Sequence, residues 1–189
     1  MNGTEASRIS GGNSAYGRAK GDLYPTPPEV TYALLDFLAL PCGTRIWEPA
    51  CGNGDMVHEM EVWGYQVTGT DISMGQDFLT VSPVSCDWII TNPPFSLSEE
   101  FIRRCRYIGK PFALLLKSQF WHARKRLKLF QSTPPAWVLP LTWRPDFLFK
   151  ARGKGAPLMD VLWCVWNPGK PSFGTHYQPL PRPDMGGST

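Results

Sequence analysis

The chain has 189 residues, 42% of them hydrophobic, and a formal net charge of +3. That length suits one α/β domain with a sizeable core and leaves little room for a second, and the apolar content excludes a disordered chain. Five scattered cysteines without a CxxC pair argue against a disulfide framework or a structural zinc site, and the weak basic excess is compatible with nucleic acid without demanding it.

Residues 1–22 are rich in Gly, Ser and Asn and lack an apolar stretch, so a flexible arm is expected there rather than a secretory signal. Thr26-Pro27-Pro28-Glu29 reads as a helix start with Thr26 as cap and proline in the first turn. Val30, Leu34, Phe37 and Leu38 then share one face, and Pro41-Cys42-Gly43 ends the helix. Arg45-Ile46-Trp47 predicts a short strand, Cys51 to Asp55 a glycine-bearing turn, and Met56, Val57 and Met60 the face of a second helix. Gln66 to Gly69 predicts a strand ending at Asp71, and Trp88-Ile89-Ile90 another that leads into Asn92-Pro93-Pro94-Phe95. Phe101, Ile102 and Cys105 fit a helix; Phe112 to Leu116 fit a buried strand; His122 to Phe130 fit a basic helix. Trp137-Val138-Leu139 and Val161 to Trp166 look like closing strands, with Trp47, Trp88 and Trp163 as core residues. Residues 168–189, with many Pro and Gly, read as an extended tail. Strands alternating with helices over residues 23–167 imply one Rossmann-like α/β domain with a mostly parallel sheet covered on both faces. No apolar run approaches the roughly 18 residues of a membrane helix, so a cytoplasmic protein without a membrane partner is expected.

Two segments carry chemistry. In the first, a strand ends in Glu48-Pro49 and runs through Ala50-Cys51-Gly52-Asn53-Gly54 into a helix. Glycines there let the backbone approach a ligand, and ligands of open α/β sheets sit at the carboxyl ends of strands. Asp71, 19 residues past Gly52, ends the next strand, where a carboxylate can accept both hydroxyls of a ribose. The full GxGxxG of dinucleotide enzymes is absent, and Glu48 would repel a pyrophosphate while attracting an ammonium. Together these favour S-adenosylmethionine over NAD.

The second segment is Thr91-Asn92-Pro93-Pro94-Phe95. Consecutive prolines cannot continue a strand and make a stiff bend. The Asn92 side-chain oxygen and the Pro93 carbonyl can then accept both hydrogens of an –NH₂ group. An exocyclic amine on a base is a poor nucleophile, and two acceptors stabilise the charge that develops on it. Phe95 can stack on the flat ring.

With these residues in place the chain resembles the class I amino methyltransferases, and most closely the gamma-ordered adenine-N6 DNA methyltransferases with their small phage relatives. Tyr24 to Val30 resembles the family's N-terminal motif over the methionine end of the cofactor, Glu48 to Gly54 its motif I, and Asp71 its ribose-binding acid. Asp77-Phe78 resembles the pair that meets the cofactor's adenine, and Asn92 to Phe95 the catalytic motif. The resemblance implies a seven-stranded-type sheet, a cofactor site of Tyr24, Thr26, Glu48, Ala50, Gly52, Gly54, Asp71, Ile72, Asp77, Phe78 and Asn92, and catalysis by Asn92, Pro93, Pro94 and Phe95. Arg144-Pro145-Asp146-Phe147 fits a late motif loosely, with Phe147 or Phe149 facing a flipped base. Larger members carry a separate target-recognition domain, and this chain has no room for one; Asn92 follows Phe78 by only 14 positions. The same motif occurs in RNA adenine methyltransferases, and near variants act on protein glutamine.

For the polymer, Lys117, Phe120, Trp121, Arg124, Lys125 and Arg126 interleave bases with aromatics, a pattern suited to phosphates and an unstacked nucleotide. Lys150, Arg152 and Lys154 form a second basic loop. DNA is the expected partner, with the target base flipped out if it is duplex, and RNA is the alternative. A non-catalytic methyltransferase-like protein is the rival from another class, opposed by the intact Asn92-Pro93-Pro94-Phe95. His58, His122 and His176 are far apart, so no metal is expected.

Overall fold

Seven short segments become strands of one sheet: β1 (Arg45–Glu48), β2 (Gln66–Gly69), β3 (Trp88–Thr91), β4 (Phe112–Lys117), β5 (Trp137–Pro140), β6 (Val161–Trp166) and β7 (His176–Tyr177). The structure is a computed structural model that describes residues 25–147, 159–169 and 174–185. The expected arm over 1–22 lies outside the described residues, as do Tyr24, Phe149, Lys150, Arg152 and Lys154.

Strand order is β2-β1-β3-β4-β6-β5-β7. β1 pairs in parallel with β2 and β3, and β3 with β4, whereas β6 runs antiparallel to both β4 and β5. The expected mostly parallel α/β sheet is therefore present, with β6 reversed. β4 and β6 pair along their whole length, from Phe112 opposite Trp166 to Lys117 opposite Val161. Both are almost entirely buried, as central strands covered on two faces must be, which explains their unbroken apolar sequences.

Among the described residues four α-helices accompany the sheet: α1 (Pro28–Leu38), α2 (Asp55–Val62), α3 (Ser98–Ile108) and α4 (Leu127–Ser132). Successive strand side chains point to opposite faces. Ile46, Ile90, Leu115 and Trp163 therefore join Val30, Leu34 and Met60 in one core. Trp47, Ile89, Leu114 and Cys164 join Phe101, Ile102 and Cys105 in the other. The Trp163 indole N–H donates to the Val30 carbonyl at 3.0 Å and ties α1 to the sheet.

Three local expectations change. Thr26 does not cap α1: the flanking residue is Pro27, no side chain caps the helix, and the hydroxyl is used elsewhere. The helix ends at Leu38 with Ala39 left-handed at φ 43°, before the Pro-Cys-Gly segment. The basic helix from His122 is replaced by two single 3-10 turns, Ser118–Trp121 and Arg124–Arg126, followed by the six-residue α4. Folding back in this way buries Phe120 and stacks Trp121 on Phe130 at 4.3 Å, which a straight helix could not do for both. Part of the extended tail lines the sheet edge, where Leu180 bridges to Leu141 and is 2% exposed.

The chain leaves β1 toward β2 on one side, and β3 returns on the other. Between β1 and β3 the sheet therefore has its switch point, outside whose carboxyl ends ligands of such folds sit. Because Trp163 is fully buried and bonded across the layers, Trp163→Ala is expected to cost roughly 3–5 kcal/mol, read as a lower urea midpoint with an unchanged slope.

Candidate active site

Glu48 ends β1 and is 1% exposed. Its Oε1 accepts the Ala50 N–H at 3.1 Å. The Thr91 hydroxyl stands close enough to draw the carboxyl's pKa down, without the alignment of a regular hydrogen bond. Burial outweighs these effects and pushes the carboxyl up to about 8, with the nearby Asp71 charge adding to the rise. No ion pair reaches Glu48 among the described residues, so a cationic ligand is what would favour its charged form.

The glycine turn follows. Gly52 and Gly54 have φ of 52° and 89°, conformations other residues resist, and a Cβ at Gly54 would meet nothing within 4 Å. The turn is held from the next strand's end: Thr70 N–H donates to the Glu48 carbonyl at 2.9 Å and Cys51 N–H to the Thr70 carbonyl at 3.0 Å. Beneath it the Trp47 indole donates to the Thr70 hydroxyl at 2.8 Å.

Asp71 faces this turn across the gap between β1 and β2. Its Oδ2 accepts the Gly52 N–H at 3.0 Å and its Oδ1 the Ser73 N–H at 2.8 Å. Burial pushes this carboxyl up, but the bonds from Ser73 and Gly52 outweigh it and hold the group below its ordinary range. Asp71 is thus held in its charged form and Glu48 in its neutral form, a division set first by the near-complete burial of Glu48 and then by the donors around Asp71. Beyond it, Ile72 and Met74 are 70% and 57% exposed, leaving apolar surface for a flat ring.

Asp77 caps its own turn, its Oδ1 accepting the Leu79 N–H at 2.9 Å. Phe78, expected at the cofactor, is instead buried against Trp47 and Phe101, at centroid distances of 5.2 and 4.7 Å. Arg104 on α3 holds this segment through the carbonyls of Phe78 and Val81. Neither Arg104 nor Thr70 stands out in the sequence, because their partners lie far away along the chain.

At the end of β3, Asn92 donates from Nδ2 to the Thr26 Oγ1 at 3.0 Å. Thr26 is 4% exposed and comes from the segment before α1. The bond to Thr26 fixes the orientation of the amide, with Nδ2 on Thr26 and Oδ1 buried at the end of β3. The carbonyls of Pro94 and Phe95 accept the Leu97 N–H and the Ser98 hydroxyl, and neither bond uses the Pro93 carbonyl. Lys117 places its ammonium 4.5 Å from the Phe95 ring centre.

Glu48, Ala50, Gly52, Gly54, Asp71 and Asn92 thus gather around the switch point, with Thr26 brought in from the amino-terminal side. The expected nucleic-acid residues divide. Arg124 and Lys125 are exposed. Phe120 is 5% exposed, with the Arg126 guanidinium 4.1 Å over its ring, so both serve internal packing. Phe147 is 4% exposed and belongs to the core rather than to an open face. Among the described residues no cluster of His, Cys, Asp or Glu is placed to hold a metal ion, and no helix is long and apolar enough to cross a membrane.

The fold is that of Rossmann-like methyltransferases. A Listeria monocytogenes protein assigned to the class I S-adenosylmethionine-dependent methyltransferases superposes with a TM-score of 0.60 at 17% identity, covering 93% of this chain and 72% of its own. The type I restriction-modification methyltransferase subunit of Streptococcus thermophilus does so with a TM-score of 0.62 at 12% identity, over 82% of this chain and 47% of its own. A protein of Pyrococcus horikoshii assigned as an RNA methyltransferase gives 0.56 at 13% identity, over 87% and 97%. The chain spans about half the length of the restriction-modification subunit. No protein-family model and no curated protein matches the sequence.

Glu48 also sets a pH dependence. The folded protein keeps a proton to about 8 that the unfolded chain releases near 4.5, so this group's contribution to stability is complete below 4.5 and is lost as pH rises through 8. Glu48→Gln removes that dependence. Without ligand, the variant should melt higher than the parent at pH 8, by roughly 2–4 °C for each kcal/mol relieved, and nearly equally at pH 4, as differential scanning calorimetry would show.

Proposed function

We propose that this protein transfers a methyl group from S-adenosylmethionine to the N6 amino group of adenine in DNA. The observation that carries the reading is the Asn92 amide, oriented by Thr26 at the switch point beside the glycine turn. The residues present fit the cofactor. Glu48 is a buried carboxyl with no cation against it and suits the ammonium end. Asp71 is an ionised acceptor at the ribose position, the backbone at Gly54 leaves space, and Ile72 offers apolar surface. When bound, this cofactor supplies a methyl carbon already activated as a sulfonium substituent.

The protein's part is to prepare the amine. Asn92 Oδ1 and the Pro93 carbonyl accept its two hydrogens, hold its lone pair toward the methyl, and stabilise the positive charge that grows on nitrogen. The amine nitrogen would take the methyl as its bond to sulfur breaks, leaving the cofactor as a neutral thioether, and would then give one proton to solvent. No side chain need remove that proton beforehand. Phe95 holds the base by stacking once Lys117 moves off its ring. Duplex DNA must release the base from its pair before the amine can reach these acceptors. The restriction-modification neighbour agrees with DNA as the polymer, and the Pyrococcus neighbour makes RNA the polymer to assay beside it.

The test is transfer of labelled methyl to unmethylated DNA, RNA and cell protein in parallel. Label should be recovered from DNA as N6-methyladenine, and Asn92→Ala should lower kcat by on the order of 10²–10³. Label confined to RNA or protein would refute the DNA assignment, and cofactor binding without transfer to any polymer would refute catalysis. Thr26→Val keeps the shape but releases the Asn92 amide, and about a tenfold loss in kcat with a comparable melting temperature is expected.

A further inference from the structure

A cleft of about 400 Å³ opens beside the site at the ends of β4 and β5, with Ser118, Thr142, Trp143, Arg144 and Asp160 among its walls. Neither Asn92 nor Phe95 lines it, and the chemistry above uses none of its residues. Its size is that of a small-molecule site. Arg144 Nε donates to Asp160 Oδ1 at 2.8 Å, which steadies the guanidinium and leaves its terminal amino groups to present a planar fork. The Asp160 backbone is itself held, its carbonyl accepting the Ser118 N–H at 3.0 Å.

The cleft's place matters as much as its groups. Lys117 immediately precedes Ser118 and lies over Phe95, so it stands between the Asn92 site and the cleft. In the order β3-β4-β6-β5, with neighbouring strands about 4.8 Å apart, the cleft wall at the end of β4 is one strand from β3, and Arg144, after β5, is three. A nucleotide chain with one base at Asn92 would pass Lys117 with its linking phosphate and reach the cleft with its next base.

Resting on the adenine-methyltransferase reading, we propose that this cleft binds the nucleobase next to the methylated adenine on the same strand, that guanine is the base it prefers, and that Arg144 reads it. Guanine presents O6 and N7 as two acceptors to the fork, whereas adenine puts an amino donor against the guanidinium's own donors. The Trp143 ring offers a stacking face, which favours purines over the smaller pyrimidines. The α/β domain thereby supplies a short sequence preference of its own.

The experiment uses the full chain and single-stranded DNA oligonucleotides, each with one adenine flanked on either side by guanine, cytosine or thymine. Both labelled-methyl transfer and fluorescence anisotropy are measured. The wild type should prefer guanine at one adjacent position by on the order of tenfold, in kcat/KM and in Kd alike. Arg144→Gln should reduce the preference to within about twofold, and Arg144→Lys, which keeps the charge but not the fork, should not restore it. Arg144 and Asp160 are both substantially exposed, so the variants should fold, and their urea midpoints check this. Equal binding of all oligonucleotides by the wild type, or a guanine preference that survives Arg144→Gln, would overturn the proposal. Guanine-selective binding lost in Arg144→Gln, but without methyl transfer to any oligonucleotide, would uphold the subsite and remove the proposed reaction instead.

Discussion

Parallel pairing of β1 with β3 is the constraint from which the site follows. The register sets Ile46 beside Trp88 and Trp47 beside Ile89, although these residues lie some forty positions apart. Once it is set, the strands end together, and Glu48 and Thr91 share one rim of the sheet. The glycine turn, Asn92 and the prolines continue outward from those ends. A parallel pair needs a long connection between its strands, and here the connection itself supplies α2, β2, Asp71 and Asp77. The loops that pairing demands are thus the loops that carry the ligand groups.

Placing Glu48 at this rim is costly for the empty protein. A carboxyl sealed behind the sheet, with one backbone donor and no cation, holds its proton well above the normal range. Asp71, a strand away, is given two N–H donors and stays ionised. The two acids therefore differ in charge, and in the proposed reading a cation meets the first and neutral hydroxyls the second. Such a division is common where a site is kept poised for a ligand at the expense of stability.

Around this centre, side chains are spent on holding loops rather than on ligand contact. Thr70 and Trp47 brace the glycine turn, and Arg104 braces the segment after Asp77. Arg126 lies on Phe120 instead of on a phosphate. Basic residues in a run are therefore not equivalent: Arg124 and Lys125 face solvent, while their neighbour is part of an aromatic cluster.

Local chemistry made much of this legible in advance. Strands β1 and β3 to β6 are runs whose apolar residues allow little else, and the glycine turn, the acid after β2 and the Asn-Pro-Pro bend announce themselves through backbone limits that act within a few residues. Other features depend on partners far away along the chain, and these only the tertiary structure decided. Thr26 looks like a helix cap, yet its hydroxyl meets Asn92, 66 residues on, because α1 must lie against β6 to bury Val30 and Leu34. Phe78, Phe120 and Phe147 look like ligand aromatics, and burial claimed them for the core. A sequence states which groups a segment carries and which turns it permits. Whether a group is turned to the core or to a ligand is settled by competition among all the apolar surfaces at once, and that competition exists only in the folded chain.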